Sequence, residues 1–307
     1  MAKYLTRPQE AVAVPALDRQ AARSADLRAY AALAIGTCCV SSSGIFVRLA
    51  GVPGPVAGLY RMTIAVLIIG VLVWRRGQPA GWTRRGAFVA VLAGMVFAGD
   101  VAAWNTSVFY TSIANASLLG NTAPLWVGLG AMILLRERLG LKFWFGLAVA
   151  LAGAAIIVGV QTLVSLQMGR GDLLALFASF FFAGYVLIGQ RGRARLDALS
   201  FFWFAAVGSC AALLAISLVL RMPLAVEPRS LLPLMGLSLV TQIGGWLTIN
   251  HAQGHLRAAI VSPTLLGMPA IATLFAWLLV REPVTWQQLI GGLVVVAGVY
   301  LVHKNAG

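Results

Sequence analysis

Long apolar segments, separated by a few polar, glycine or proline residues, make up most of the chain. A helix that crosses a membrane needs about 20 apolar residues, within a range of about 17 to 25. Ten segments meet this requirement, and we predict a membrane-spanning helix for each, numbered one to ten in chain order: 29–49, 55–75, 86–107, 113–135, 140–160, 172–190, 199–220, 231–251, 258–280 and 285–303. The connections between them are short, so consecutive spans are expected to be neighbours.

The pattern occurs twice, because the stretch 114–153 returns as 259–298 without a gap, at the offset that separates Arg136 from Arg281. Residues that stand out from the apolar background coincide at this offset: Asn105 with Asn250, Ser117 with Ser262, Pro124 with Pro269, Arg136-Glu137 with Arg281-Glu282, Gly146 with Gly291, and Gly153 with Gly298. Apolar composition explains matches of Ala and Leu, but not these matches. The sequence therefore predicts a duplicated membrane unit, a feature of many transporters.

Lysine and arginine predict the orientation, since they concentrate on the cytoplasmic side of a membrane. With the N-terminus inside, only six of the 23 lysine and arginine residues lie elsewhere: Arg48, Arg61, Arg170, Arg221, Arg229 and Arg281. Both termini are therefore predicted to be cytoplasmic. Each copy contains an odd number of spans, so the second copy enters the membrane upside down. The predicted fold is an all-α membrane protein whose ten transmembrane helices form two inverted five-helix repeats.

The predicted boundaries are a cytoplasmic tail over 1–27, a first repeat over 28–160, an external linker over 161–171 and a second repeat over 172–303. Of the 307 residues, 60% are hydrophobic and 10% are charged, whereas a soluble domain carries about 25% charged residues. The net charge of +14 comes from short basic runs between apolar segments. These runs predict contacts with lipid headgroups and not with nucleic acid.

No cofactor or metal is predicted. His251 and His255 share a helical face, but Ala252 stands where the zinc-protease motif has Glu, and no third ligand is evident. The three cysteines lie in apolar segments and are expected to pack there as small side chains. We expect a monomer or a weak oligomer.

Three features together resemble the drug/metabolite transporter superfamily of EamA type: ten spans in five-plus-five duplication, the R-x-x-I-A pattern at 61–65, and Arg-Glu at the end of spans four and nine. The resemblance covers about 28–303 and implies a central cavity lined by spans one to four and six to nine. It also implies that spans five and ten are peripheral. Within the superfamily the chain is most similar to bacterial inner-membrane exporters of amino acids and related metabolites, with a leaning to aromatic amino acids.

Polar and aromatic residues within the apolar spans are the candidate substrate contacts, because amides in hydrocarbon must find partners. They are Arg61, Asp100, Trp104, Asn105, Asn121, Tyr185, Trp203, Gln242, Trp246 and Asn250. Some of the amides are expected to join helices instead. Pro124 and Pro269 lie near the middle of spans four and nine, where a proline removes a backbone hydrogen bond. Prolines are common in membrane helices, but the matched placement favours paired hinges.

Arg61 and Asp100 are predicted to lie at matching depth, roughly 10 Å from the outer face at 1.5 Å per residue, and to pair with each other. The pair would either fasten span two to span three or meet the substrate's charged groups. The uncharged, aromatic-rich candidates predict small zwitterions as substrates, exported by alternating access. Asp100 is the only deep carboxylate, which predicts facilitated export without tight proton coupling. The alternatives are export of drugs or other metabolites and, in another class, an intramembrane enzyme.

Overall fold

Helices are the only regular secondary structure over the residues that a computed structural model describes, which are 16–77, 83–111, 116, 119–158, 169–193, 196–275, 277–278 and 284–305. The α-helices are α1 (Ala16–Ser41), α2 (Ser43–Ala50), α3 (Gly54–Arg76), α4 (Arg84–Ser107), α5 (Ala123–Leu134), α6 (Leu141–Val158), α7 (Arg170–Arg193), α8 (Ala198–Val219), α9 (Pro228–Gly236), α10 (Leu247–Gln253), α11 (Ala258–Thr264), α12 (Met268–Phe275) and α13 (Trp286–Asn305). A π-helix, Leu237–Trp246, joins α9 to α10, and a 3₁₀ turn, Leu265–Gly267, joins α11 to α12.

These elements form ten apolar helical units. Eight are long enough to cross a membrane, and two shorter ones cover Ala123–Leu134 and Leu141–Ile157. Large apolar side chains such as Phe88, Ile133 and Leu293 lie exposed on the outside of the bundle, where lipid would surround them. The prediction of an all-α membrane protein is confirmed. The first helix begins at Ala16, inside the segment predicted to be a tail.

Pro124 does not lie in the middle of a continuous helix, so that part of the prediction is wrong. Pro124 is the second residue of α5, which follows a turn at 121–122. A proline in the first turn of a helix removes no intrahelical hydrogen bond, because the N–H groups there have no partner within the helix. Pro269 lies within the apolar helix Ala258–Phe275, directly after the point where the 3₁₀ turn joins α11 to α12.

The turn before α5 is fixed by side chains. The hydroxyl of Thr122 donates to the carbonyl oxygen of Leu119 at 2.6 Å, and its oxygen lies 3.0 Å from the hydroxyl oxygen of Ser179 on α7. The indole N–H of Trp126 donates to Ser179, at 3.1 Å. These contacts attach the start of α5 to α7. The Arg281-Glu282 end of predicted span nine lies outside the described residues, as do Asn115 and Ser117.

The π-helix is an irregular feature that the apolar pattern did not predict. Its ten residues interrupt predicted span eight, whereas the matching part of span three is ordinary α-helix within α4. A π-helix carries one extra residue per hydrogen-bonded turn, is rarely longer than a single turn, and is found mostly at functional sites. Gln242 and Trp246, both predicted substrate contacts, lie on this stretch.

Helices α6 and α13, the predicted spans five and ten, pack closely through glycines. A Cβ on Gly153 would lie 2.5 Å from the backbone nitrogen of Val295, and a Cβ on Gly291 would lie 2.7 Å from that of Ile157. Gly146 faces Gly298 in the same way. Gly146 matches Gly291 in the repeat and Gly153 matches Gly298, so the two contacts are symmetry mates. This is the pairing that a two-fold axis between inverted repeats requires.

Candidate functional site

Four aromatic rings meet at the centre of the bundle and form what we call the aromatic cluster: Phe97 of α4, Phe182 and Tyr185 of α7, and Trp246 of the π-helix. The ring of Phe97 lies 4.6 Å from that of Tyr185 and 4.9 Å from that of Trp246, measured between centroids. The Tyr185–Trp246 and Phe97–Trp246 pairs are edge-to-face, an arrangement that the ring quadrupole favours. Elements from both halves of the chain therefore meet in this cluster.

Arg61 of α3 lies against this cluster and is buried, with 4% of its surface exposed. Its Nε donates to Oε1 of Gln242 at 2.6 Å, and its Cζ lies 5.9 Å from the ring centroid of Phe97, within cation–π range. Ser238 of the π-helix donates to the carbonyl oxygen of Arg61 at 2.9 Å. The Nη2 atom of Arg61 is buried and has no hydrogen-bond partner among the described residues. A buried guanidinium group with unused donors is expensive unless a ligand or water completes it.

Asp100 does not form the predicted ion pair with Arg61. Both residues are described, and no nitrogen–oxygen distance between them falls within 4.0 Å. The two side chains still interact electrostatically, and Asp100 is only half-buried. The predicted direct ion pair is wrong because α3 packs on the π-helix, which brings the Gln242 amide to Arg61 Nε instead.

Tyr185 and Asn250 form a second buried contact, in which the phenol of Tyr185 donates to Oδ1 of Asn250 at 2.7 Å. The backbone carbonyl of Asn250 accepts from Nε of Arg193 at 2.7 Å. Nδ2 of Asn250, Nε1 of Trp246 and both side-chain polar atoms of Gln253 are buried with no partner among the described residues. Buried polar groups are normally satisfied, so this concentration of free donors and acceptors indicates a place for a polar ligand or water.

Trp104 and Asn121 are less buried than Arg61 and Tyr185. Both are half-buried, and Trp104 stands four residues after Asp100 on the same face of α4. Gly120 lies beside the Trp104 ring, since a Cβ there would be 3.4 Å from two of its atoms. Asp100, Trp104 and Asn121 are thus predicted contacts that keep part of their surface exposed.

Asn105 and Trp203 have their donors occupied by helix packing. Nδ2 of Asn105 donates to the carbonyl oxygen of Gly54 at 2.9 Å, and Nε1 of Trp203 donates to that of Val66 at 3.1 Å. The side chain of Asn105 is buried at this contact between α4 and the start of α3. For these two residues the structure provides a packing role, and their predicted contact with substrate is untested.

Sequence reasoning missed Phe97, Phe182 and Gln253. Their types are common in apolar helices, and only the meeting of distant helices sets them apart. Among the described residues, no group of three His, Cys, Asp or Glu side chains is placed to hold a metal ion. The site consists of aromatic rings, amides, the guanidinium group of Arg61 near the carboxyl group of Asp100, and Arg193 at the backbone of Asn250. This arrangement is suited to binding, and no nucleophile–base pair is evident among its described residues.

Comparisons with known proteins agree with this description. The chain is 24% identical over 249 residues to an "Uncharacterized transporter" of Archaeoglobus fulgidus, covering 79% of this chain and 85% of that protein. It is 23% identical over 247 residues to "Uncharacterized transporter YyaM" of Bacillus subtilis, covering 78% and 80%. A shorter match, 26% over 149 residues, relates it to a "Riboflavin transporter" of Vibrio cholerae, covering 46% and 47%.

A solved crystal structure shares the fold, with a TM-score of 0.73 at 18% identity, covering 92% of this chain and 98% of the other. The model of the EamA-like transporter family matches twice, at 27–159 and at 169–303. Together these two matches cover both halves of the bundle and the aromatic cluster between them. The chain therefore belongs to the EamA-like transporter family and is a membrane transporter of small molecules.

Proposed function

We propose that the protein exports small zwitterionic metabolites across the bacterial inner membrane, with aromatic and hydrophobic amino acids as the preferred substrates. The observation that carries the proposal is the buried Nη2 of Arg61, which has no partner among the described residues and lies beside an aromatic cluster. A carboxylate satisfies such a donor best, because charge-assisted hydrogen bonds are the stronger ones. The substrate's carboxylate would bind there.

The substrate's ammonium group would face Asp100, which interacts electrostatically with Arg61 and is half-exposed. An aromatic side chain would stack on Trp104 or on the rings of the aromatic cluster, worth about 0.5–1.5 kcal/mol per ring pair beyond burial. Arg61 and Asp100 would offer one positive and one negative group to the carboxylate and the ammonium group of the ligand. This charge balance favours zwitterions over simple amines or acids.

The substrate would move by alternating access. In this movement the helical segments that contain Pro124 and Pro269 would change their angle to the rest of the bundle. The inverted arrangement is typical of carriers that rock one repeat against the other around a central site. With both termini in the cytoplasm, cysteines placed in the 76–85 or 191–197 loops should react only with a cytoplasmic reagent. External labelling of either loop would contradict the proposed orientation.

Export should be facilitated and not tightly coupled to protons, because Asp100 is the only deep carboxyl group that the sequence offers in the spans. In proteoliposomes, an imposed pH gradient should leave the final substrate accumulation unchanged. Concentrative uptake driven by that gradient would overturn this part of the proposal.

Counterflow of labelled phenylalanine in proteoliposomes tests the substrate assignment. Phenylalanine and tryptophan should compete, while phenethylamine and phenylpropionate, which each lack one charge, should compete at least tenfold less well. Equal competition by phenethylamine would rule out the Arg61 carboxylate contact. Competition by riboflavin or by drugs alone would favour export of other metabolites, and chemical conversion of the label would indicate an intramembrane enzyme.

A further inference from the structure

A cavity lies on the side of the bundle, between the beginning of α4, the end of α5 and the end of α7. It has a volume of about 370 Å³, and its lining is apolar except for Arg85 and Arg191. We call it the lateral groove. Its apolar walls include Val89, Leu92 and Ile188.

The two arginines stand at one end of this groove. Arg85 is the second residue of α4 and Arg191 is in the last turn of α7. These helix ends meet, since a Cβ on Gly192 would lie 3.5 Å from the side chain of Val89. Leu92 is seven residues further along α4 than Arg85, or roughly 10 Å deeper at 1.5 Å per residue. The groove is therefore charged at the end of the helices and apolar toward the interior of the membrane.

The groove opens to the outside of the bundle. Four of its lining residues are exposed, namely Arg85, Leu92, Leu134 and Arg191. A guanidinium nitrogen of Arg191 donates to the carbonyl oxygen of Leu134, which holds this side chain over the groove. No carboxylate of the described residues lies within 4.0 Å of either guanidinium group. The two positive charges therefore face the membrane boundary without a direct ion-pair partner.

We infer that the lateral groove binds one anionic phospholipid, whose phosphate lies between Arg85 and Arg191 and whose acyl chain lies over Val89, Leu92 and Ile188. Charge complementarity selects an anionic headgroup, and the apolar walls select an attached hydrocarbon chain. Basic pockets between transmembrane helices bind lipid headgroups on the side of the membrane where basic residues concentrate. The end that carries the two arginines is the end that the lysine and arginine distribution predicts to be cytoplasmic.

The test measures binding of fluorescent phosphatidylglycerol to the purified full-length protein in phosphatidylcholine nanodiscs. The double variant R85Q/R191Q should bind about 30-fold more weakly than the wild type, because it removes two basic residues from the groove and each contributes about 1 kcal/mol to anionic-lipid binding. The matched control is R75Q/R76Q, which removes the same charge from the exposed end of α3. This control should bind like the wild type.

A third variant, Leu92→Asn, keeps both arginines and makes the wall polar at an exposed position, so it should also weaken binding while the protein stays monodisperse in size-exclusion chromatography. Fluorescent phosphatidylcholine should bind less well than phosphatidylglycerol to the wild type. Equal binding of the two lipids, equal losses in both double variants, or wild-type binding by R85Q/R191Q would each overturn the inference. The readout is lipid binding and does not depend on the transported substrate.

Discussion

The peripheral pair α6–α13 differs from the central cluster in how it uses the duplicated sequence. By central cluster we mean the aromatic cluster together with Arg61, Asp100 and Gln242. In the peripheral pair, matched glycines face each other across the axis, Gly146 against Gly298 and Gly153 against Gly291. In the central cluster most matched positions differ in chemistry: Arg61 matches Ala206, Gln242 matches Phe97, Asp100 matches Gly245, Tyr185 matches Val40, and Trp246 matches Val101. The molecule is symmetric where helices only pack and asymmetric where polar groups are buried.

This difference indicates which part of each repeat packs helices together and which part carries the polar groups of the candidate site. Close approach of two backbones imposes the same requirement on both copies, since only glycine leaves the necessary space. A small substrate has no two-fold symmetry, so a site that recognises it must differ between the copies. Substitutions should therefore affect folding at the periphery and transport at the centre.

The largest expected effect is on folding. Gly291→Ala places a Cβ 2.7 Å from the backbone of α6, and we expect a loss of stability at the upper end of about 1–3 kcal/mol. Its neighbour Gly292 is the control, because a Cβ there would lie 3.8 Å from its nearest contact, the Cβ of Ala270. Thermal unfolding in detergent should show a lower melting temperature for Gly291→Ala only. Equal melting temperatures for the two variants would contradict close packing of α6 on α13.

The next largest effect is on transport. Arg61→Gln removes the buried charge and its free Nη2, and hydrogen bonds to charged groups contribute about 1.5–3 kcal/mol. We expect phenylalanine counterflow to fall roughly 10- to 100-fold while the protein remains monodisperse. Arg229→Gln, at an exposed arginine that pairs only with Glu227 at 2.6 Å, should transport normally. Unchanged counterflow by Arg61→Gln would remove the central cluster from the transport path.

Tyr185→Phe should have a smaller effect, because it deletes one buried hydrogen bond and leaves the ring in place. Oδ1 of Asn250 then loses its donor, at a cost of about 1 kcal/mol in the free energy of unfolding. The exposed phenol of Tyr110 gives the control, Tyr110→Phe. A fall in counterflow without any change in melting temperature would show that the phenol acts on substrate and not on helix packing.

The smallest effect separates ring stacking from hydrogen bonding. Trp246→Phe keeps an aromatic ring against Phe97 but removes the free indole N–H, so we expect a roughly two- to fivefold rise in the apparent transport constant, from the loss of less than about 1 kcal/mol. Trp286→Phe, at a largely exposed tryptophan, should leave the constant unchanged. A fall in the constant for Trp246→Phe would mean that the N–H does not face substrate.

Much of the fold follows from the sequence, because continuous apolar segments and matched residues depend on local composition. The ten helical units and the family follow from such signals. The sequence locates the break before Pro124 only partly. The proline marks the break, but the contacts of Thr122 with Leu119 and Ser179 decide where the helix restarts.

The central contacts were less predictable, because they join residues far apart in the chain. Arg61 and Gln242 are separated by 181 positions, and their pairing depends on the π-helix, which shifts the register of span eight. Depth alone suggested Asp100 as the partner of Arg61. Depth does not specify which faces of two helices meet, and side-chain direction decides the partner.

The unsatisfied donors of Arg61, Trp246 and Asn250 have a thermodynamic consequence. Each buried polar group that neither water nor a ligand satisfies costs about 1–3 kcal/mol, so a ligand that pairs with these donors binds the folded state preferentially. A ligand that binds only the folded state adds stability through mass action, about 2.7 kcal/mol at a concentration 100 times its dissociation constant. The melting temperature of this transporter is therefore a measure of occupancy, and a ligand that completes these donors should raise it in proportion to the logarithm of its concentration.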